Sequence, residues 1–466
     1  MRDLVVSLVI IGLLPVCFRR PYIGLVMFSW LAYMRVQDLT WSFARFQRWS
    51  FYVAIVTFSG WFFSKNRTKF FVHDVRTWLM ILMAVLVGLG VAFARERPPD
   101  LLEVHISAYI EFAKIITIAL FTTGVVTTRE RLRLLIWVIA LSFGFYGFKN
   151  ALWGVKTLGQ QPILRGPGGL INDNNDFSLA LGMAVPMLLN IGLSDRRPVL
   201  RKAFLAMVPM TAFTVLLTHS RGGFLAMSAG IGILVWRSRY RWTGIGVGFL
   251  ALPVLIFLLP ANMIERLASI ANYEEDGSAN ARFKSWAVAG RMATDNPLLG
   301  VGLANFRPNY LDYEQHPTPE QLQGFNIFVA HNSYLQIWAE CGTPALAVYL
   351  LLILLSFITC WRTRALARQR FHTSWIINYA TMFEASLLCF IVGAVFLNRA
   401  HFDLFYHWVA IIMLFGRIAQ AEIRTPETQQ LRDDGRVLPL KPLRRHGFGV
   451  KPNHAGFRNT SQPAGS

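Results

Sequence analysis

Long apolar segments recur along most of this chain, and they constrain its fold more than any other feature. Each is close to the roughly 20 residues that cross a bilayer as a helix, and short polar or basic connections separate them. Only 15% of the 466 residues are charged, against about 25% in an ordinary soluble domain. The sequence therefore predicts an all-α polytopic membrane protein with about twelve or thirteen transmembrane helices.

Two short apolar runs open the chain, at residues 4–18 and 21–34. Arg19 and Arg20 stand where a signal peptide would have its small-residue cleavage site, so we expect a retained helix. The two runs either cross the membrane as tilted helices or form a hairpin that does not cross fully.

Basic clusters predict the orientation, because Lys and Arg in short loops stay on the cytoplasmic side. They occupy every second connection, at residues 65–69, 129–133, 196–202, 237–241 and 362–370. The alternate connections, including 149–176, 219–222 and 399–403, are then expected to face the periplasm. The net charge of +20 is spread over these clusters, which indicates topology rather than a nucleic-acid partner.

The longest polar interval, Ala261 to Asn332, divides the chain. Residues 261–330 carry five Lys or Arg and eight Asp or Glu, a net charge of −3 within a basic chain, which favours the periplasmic side. Its aromatic residues suggest a folded segment. We predict N-terminal transmembrane helices at 1–260, a periplasmic loop domain at 261–332, C-terminal transmembrane helices at 333–420 and a disordered, basic cytoplasmic tail at 421–466.

Four arginines on the expected periplasmic side are candidates for binding a diphosphate, since a guanidinium matches phosphate oxygens. Arg165 precedes a glycine-rich turn, and Arg221 lies in a tight turn between apolar helices. Arg282 and Arg291 belong to a predicted helix over 279–292. For Arg221, the alternative is an interfacial side chain that reaches lipid phosphates. For Arg165, it is an ordinary flexible turn.

His331 is the candidate general base. It precedes Asn332 and Ser333, either of which could cap the helix that follows. The positive end of the helix dipole disfavours imidazolium and leaves a ring that can accept a proton. The alternative is a histidine that only satisfies an interface. Asp176 and Glu340 are supporting candidates, and Glu340 could pair with an arginine or be solvated in a cavity.

A metal ion and other cofactors are not expected. The four cysteines show neither a disulfide framework nor zinc spacing. The acidic residues near 173–176 and 274–276 lack the ligand pattern of a hard-cation loop, and several arginines could neutralise a diphosphate instead.

Several short motifs, taken in order, resemble those of the bacterial O-antigen ligase and polymerase superfamily. They are Arg165-Gly-Pro, Asn172-Asp-Asn-Asn-Asp-Phe177, Ser220-Arg-Gly, Arg282-Phe-Lys-Ser-Trp286, Asn296-Pro-Leu-Leu-Gly-Val-Gly-Leu-Ala-Asn-Phe306, His331-Asn-Ser-Tyr-Leu335 and Glu340-Cys-Gly342. The first eight residues, Met1 to Leu8, resemble the O-glycosylation ligases associated with exosortase systems.

The resemblance implies transfer of a glycan from undecaprenyl diphosphate to an acceptor on the periplasmic face of the inner membrane. It matches the family's arginines to Arg165, Arg221 and Arg282, less clearly to Arg291, and the family's essential histidine to His331. Lipid A core is the expected acceptor, and membrane lipids are expected partners. We expect one-step, metal-independent inversion at the sugar C1. The open alternatives are a polysaccharide polymerase, a protein O-oligosaccharyltransferase and a lipid-linked sugar transporter.

Overall fold

The computed structural model describes residues 1–65, 67–93, 101–238, 240–246, 248, 250, 277–325, 327–370, 375–424, 430–431 and 437–438. Nearly all regular structure in these residues is helical. Most of the predicted span at 243–259, the first part of the polar interval and most of the C-terminal tail lie outside them.

Ten α-helices have both ends within the described residues that precede the polar interval. Their bounds are α1 Arg2–Arg19, α2 Pro21–Met34, α3 Phe43–Phe46, α4 Trp49–Phe63, α5 Val75–Ala92, α6 Leu102–Val125, α7 Arg129–Lys156, α8 Asn174–Ser194, α9 Pro198–Leu217 and α10 Arg221–Arg237. Short 3-10 helices lie at Val36–Leu39 and Gly169–Ile171. Pro21 and Pro198 begin α2 and α9, where a missing N–H leaves no helical acceptor unpaired.

Six further helices follow: α11 Gly277–Asp295, α12 Tyr310–Tyr313, α13 Pro319–Leu322, α14 Ser333–Arg370, α15 Trp375–Ala394 and α16 Asp403–Arg424. In the tail, Gln430–Leu431 pairs antiparallel with Val437–Leu438. The predicted helix over 279–292 is confirmed and is longer at both ends. Of the tail predicted to be disordered, residues 421–466, residues 421–424 belong to α16, and residues 425–429, 432–436 and 439–466 lie outside the described part.

Eight of the described helices are long and apolar enough to cross a membrane, which confirms an all-α polytopic membrane protein. The eight are α5 to α9 and α14 to α16. This count is below the expected twelve or thirteen. Helices α2 and α4 are apolar but shorter, with 14 and 15 residues.

One end of the bundle, here called the basic end, joins the connections that carry the basic clusters. Tyr22 Oη donates to the carbonyl of Arg131 at 2.8 Å, and Arg76 Nη1 donates to Thr359 Oγ1 at 2.9 Å. Nearby, Asp195 lies within 3.6 Å of Arg133. The predicted cytoplasmic connections thus lie together.

The opposite end, here called the site end, joins the alternate connections. The N–H of Ile163 donates to the carbonyl of Leu217 at 2.8 Å, and Ser333 Oγ donates to the carbonyl of Leu397 at 2.7 Å. The ring of His105 lies 2.8 Å from the carbonyl of Leu303. The two sets of connections therefore meet at different ends of the bundle.

The described part of the polar interval packs onto α14. It has its own apolar cluster, which includes Val288, Met292, Phe306 and Tyr310 and also takes in Ala339 of α14. Phe283 and Phe325 are 49% and 66% exposed, so only part of the aromatic content fills this core. The segment is folded against the membrane helices.

Helix α14 is broken at Gly342, whose φ of 82° and ψ of 176° are not helical. Pro344 has no N–H for the carbonyl of Glu340, and the N–H of Gly302 donates to that carbonyl at 3.0 Å. Val301 likewise donates to the carbonyl of Ala339 at 2.8 Å. Groups that the break removes from the helix are therefore paired with residues 297–302.

Candidate functional site

His331 lies at the site end, directly before α14. It is half-buried, with a left-handed φ of 46°. Asn332 Oδ1 accepts from the N–H groups of Tyr334 and Leu335 at 3.0 and 3.1 Å, so Asn332 is the helix cap. Ser333 has a different role, because its Oγ bonds to the carbonyl of Leu397 and accepts from the N–H of Arg399.

The charges around His331 favour its neutral form. Burial and the neighbouring positive charge of Arg282 hold the pKa of His331 below its ordinary value of 6.5, against the opposite influence of Asp173. A ring that is neutral at pH 7 can accept a proton. His331, Arg282 and Asp173 are thus close enough to act on each other, although they come from three separate segments.

Arg165 reaches this cluster through its loop. The backbones of Arg165 and Asp173 form an isolated antiparallel bridge, and the N–H of Gly166 donates to the carbonyl of Asn172 at 2.8 Å. These bonds close residues 165–173 into a compact loop and place Arg165, whose residue is exposed, beside Asp173. A role of Arg165 in donor binding stays a prediction, with an ordinary turn as the alternative.

Arg221 is the first residue of α10 and is half-buried. Ser220 caps this helix through a 3.1 Å bond from the N–H of Gly223. The same Ser220 Oγ donates to Asn175 Oδ1 at 2.7 Å, and Asn174 Nδ2 donates to the carbonyl of Thr218 at 2.8 Å. The turn that carries Arg221 is therefore fixed to the first turn of α8, next to Asp173.

Asp176 is buried and pairs with Arg399, whose side chain remains 27% exposed. Sequence reasoning did not assign Arg399 a role. The available signal was a second arginine on the expected periplasmic side, next to an apolar segment. Because the N–H of Arg399 also bonds to Ser333, this residue joins α8 to the start of α14.

Among the residues that the structure describes, Glu340 has no arginine partner, and its carboxylate is enclosed by protein groups rather than by a solvated cavity. Its carboxylate accepts from Gln336 Nε2 at 3.1 Å and from the N–H of Phe306 at 3.4 Å, and it is 3% exposed. The expectation of an ion pair or a cavity is therefore wrong. Glu340 joins α14 to the segment that precedes α12.

Arg291 lies apart from Arg282. The two residues are nine positions apart on α11, about half a turn in phase and roughly 13 Å along the axis. Arg291 Nε donates to the carbonyl of Tyr313 at 2.6 Å, within the fold of the polar interval. A role of Arg291 in donor binding stays a prediction.

A cleft of about 500 Å³ opens beside the 165–173 loop. It is lined by Lys149, Asn150, Leu152, Trp153, Lys156 and Ile163. Two ammonium groups and an indole thus lie at the site end of α7, and Ile163 of the same lining is two residues before Arg165 along the chain. These residues were not assigned a role from the sequence.

Most of the predicted residues therefore meet at the site end. His331, Arg282 and Asp173 interact, Arg165 is bridged to Asp173, and the Arg221 turn is bonded to the residues that follow it. Asn332 and Asp176 support this cluster through a helix cap and an ion pair. Glu340 and Arg291 serve contacts elsewhere in the fold.

Comparison with known proteins gives two family matches. Residues 205–350 match the model described as O-Antigen ligase, and residues 1–162 match a family of unknown function (DUF5935). A search of curated proteins found no match. The first match covers Arg221, Arg282, His331 and the break at Gly342, and it supports a function of the O-antigen ligase or polymerase type. This match, on a bundle of membrane-spanning helices, supports membership of the chain in the O-antigen ligase and polymerase superfamily.

Proposed function

We propose that this protein is a glycosyltransferase that moves a glycan from undecaprenyl diphosphate to an acceptor hydroxyl. The observation that carries the proposal is the cluster of His331 with Arg282 and Asp173, to which the Arg165 loop and the Arg221 turn are bonded. This cluster combines a neutral base with cationic groups, as glycan transfer from a lipid diphosphate requires.

In the proposed reaction, the acceptor oxygen attacks C1 of the donor sugar. A new bond forms between C1 and this oxygen, while the bond between C1 and the diphosphate oxygen breaks. The hydroxyl proton passes to the ring of His331, and undecaprenyl diphosphate leaves with the electron pair of the broken bond. Arg165, Arg221 and Arg282 stabilise the negative charge that grows on the diphosphate.

Single displacement inverts the configuration at C1. A retaining route requires a carboxylate nucleophile beside the sugar. Asp176 and Glu340 are 4% and 3% exposed, and both are engaged, with Arg399 and with Gln336 respectively. These contacts favour inversion.

We place the site on the periplasmic face of a bacterial inner membrane and the basic end in the cytoplasm. The position of the basic clusters at the end opposite His331 supports this orientation. Single cysteines introduced at exposed positions test it. A membrane-impermeant maleimide should label Lys284→Cys in intact spheroplasts and label Arg368→Cys only after lysis, and the reverse pattern would contradict the orientation.

The central experiment uses purified full-length protein in lipid nanodiscs with an undecaprenyl diphosphate-linked glycan. Lipid A core is the first acceptor, and the expected product is glycan on that core with an inverted anomeric centre, formed equally with and without EDTA. A glycan ladder on the lipid carrier would instead indicate a polymerase, and glycan on protein an oligosaccharyltransferase. Failure of transfer to all three acceptors would contradict the proposal. Retained configuration would rule out single displacement, and activity that requires a divalent ion would rule out metal independence.

A further inference from the structure

Arg35 lies at the C-terminal end of α2, within the region that matches a family of unknown function. Its backbone is left-handed, with a φ of 46° and a ψ of 52°. Tyr146 of α7 donates to the carbonyl of Met34 at 2.8 Å, and Arg35 Nε donates to Asp38 Oδ2 at 2.5 Å. These contacts fix both the backbone and the guanidinium at the site end.

The guanidinium of Arg35 packs against the glycine turn of the 165–173 loop. A Cβ atom added at Gly169 would lie 2.2 Å from Arg35 Nη1, and one at Gly168 would lie 3.2 Å from Arg35 Nε. Both glycines have positive φ, 58° at Gly169 and 113° at Gly168. Glycine is therefore required at these positions for two reasons, the left-handed backbone of the turn and the close approach of Arg35.

The same guanidinium also interacts with the charged residue at the start of α16. Arg35 and Arg399 both interact electrostatically with Asp403, and Arg399 pairs with Asp176. Arg35 thus lies between the glycine turn and the charged residues that join α8, α14 and α16. It is 25% exposed at the side chain, so it acts through protein contacts more than through solvent.

We propose that Arg35 is a positioning residue for donor binding. It holds the glycine turn at Gly168 and Gly169, and through that turn it keeps Arg165 and Asp173 beside His331. The N-terminal region of unknown function thereby supplies one support of the site in the O-antigen ligase region. The loop contact stands on the structure alone, whereas the effect on the donor rests on the proposed function.

An arginine suits this position because its planar group can bond Asp38 through Nε while Nη1 lies close to Gly169. A lysine keeps the charge but places a single ammonium group. We therefore expect Arg35→Lys to restore only part of what Arg35→Gln removes. Arg45→Gln is the matched control, since Arg45 is an exposed arginine ten residues further along the same connection.

The first test needs no activity. Hydrogen exchange of the full chain in nanodiscs should show faster exchange of the 165–173 amides in Arg35→Gln than in wild type or Arg45→Gln, with α8 unchanged. Equal exchange in all three proteins would overturn the contact. If Arg35→Gln does not yield folded protein, Arg35→Lys is measured with the same expectation and a smaller difference.

The second test measures donor kinetics. Arg35→Gln should raise the donor KM about tenfold, since a small misplacement of a binding group has large effects, while the acceptor KM stays within twofold. Adding Arg35→Gln to Arg165→Gln should change the donor KM by less than twofold, because the two residues act through one loop. Independent, multiplicative effects would overturn the positioning role, and so would full restoration by Arg35→Lys. If wild type transfers no glycan while the exchange difference is present, the proposed function fails and the loop contact stands.

Discussion

Two carboxylates are buried at opposite ends of the bundle, and each is held by arginine. At the basic end, Glu384 of α15 is fully buried, paired with Arg364 of α14 and 3.4 Å from Arg237 of α10. At the site end, Asp176 pairs with Arg399, which keeps about a quarter of its side chain exposed. The same chemistry occurs at both ends, but Arg364, the paired arginine at the basic end, is only 3% exposed, while Arg237 beside Glu384 keeps 26% of its side chain exposed.

The difference in exposure indicates that similar ion pairs have different roles at the two ends of the bundle. The Arg364–Glu384 pair at the basic end is enclosed between α14 and α15, so we expect it mainly to hold these helices together. The pair at the site end leaves an arginine near His331, Asp173 and the Arg165 loop, where a diphosphate could meet it. We therefore expect substitutions at the site end to lower activity and substitutions at the basic end to lower stability.

The largest effect should come from His331. His331→Ala removes the proposed proton acceptor and should lower kcat about 10²- to 10⁴-fold, with a thermal unfolding midpoint close to that of wild type. The readout is glycan transfer by purified protein. His316→Ala is the control, because His316 is exposed in the same polar interval. Near-normal transfer by His331→Ala would contradict its assignment as the base. It would also contradict the expectation that substitutions at the site end mainly lower activity.

The same substitution at the two ion pairs tests the comparison directly. Arg364→Met should lower the free energy of unfolding by about 3 kcal/mol, because a buried carboxylate loses its main partner, while the specific activity of the folded fraction stays within twofold. Arg399→Met should lower stability as well, since Asp176 is buried, but also reduce transfer about tenfold or more. Denaturant unfolding and transfer assays on the same preparations measure both quantities. A drop in specific activity for Arg364→Met alone would reverse the assignment of the ends.

Two glycines within the polar interval sharpen the account of how the site end is built. Gly300 has a φ of 67°, and a Cβ there would lie 2.4 Å from the carbonyl carbon of Glu340, whereas a Cβ at Gly290 in α11 would meet nothing within 4 Å. Gly300→Ala should destabilise the docked segment by about 1 to 3 kcal/mol, seen as faster proteolytic nicking between residues 277 and 325. Gly290→Ala should be neutral or stabilising by up to about 1 kcal/mol. Equal nicking of the two variants would mean that the docking on α14 does not hold this segment.

The smallest effect should be a shift in pH dependence. The pKa of His331 lies below its ordinary value of 6.5. Because transfer requires neutral His331, activity is present above this pKa and is lost as the pH falls through it. Arg282→Gln removes a positive neighbour, raises this pKa and should move the acidic limb of kcat/KM to higher pH. Lys284→Gln, at an exposed position of the same helix, should leave the limb in place. A downward shift in Arg282→Gln would contradict the arrangement around His331.

Sequence patterns predicted the membrane helices and much of the site for a local reason. Residues that are neighbours along the chain determine the length of an apolar segment, the charge of a connection and the cap of a helix. For this reason α11, the start of α14 and the alternation of the two ends could be anticipated. The roles of Arg399 and Arg35 could not, because each depends on a partner far along the chain, Asp176 in one case and Gly169 in the other. Glu340 was misjudged for the same reason, since its partner Phe306 belongs to a segment that docks on the helix. The break in α14 had a local signal in Gly342 and Pro344 that the apolar run concealed.

The break at Gly342 also bears on how such proteins can exchange parts. Residues 297–302 carry donors that α14 lacks within itself, and Pro297 accepts from Thr343 at 2.8 Å. A chimera that takes the polar interval from one relative and the following helix from another would separate donors from their acceptors. Grafts whose junction lies beyond Pro344 keep this set of bonds intact, so the unit of recombination runs past the end of the polar interval and into the membrane.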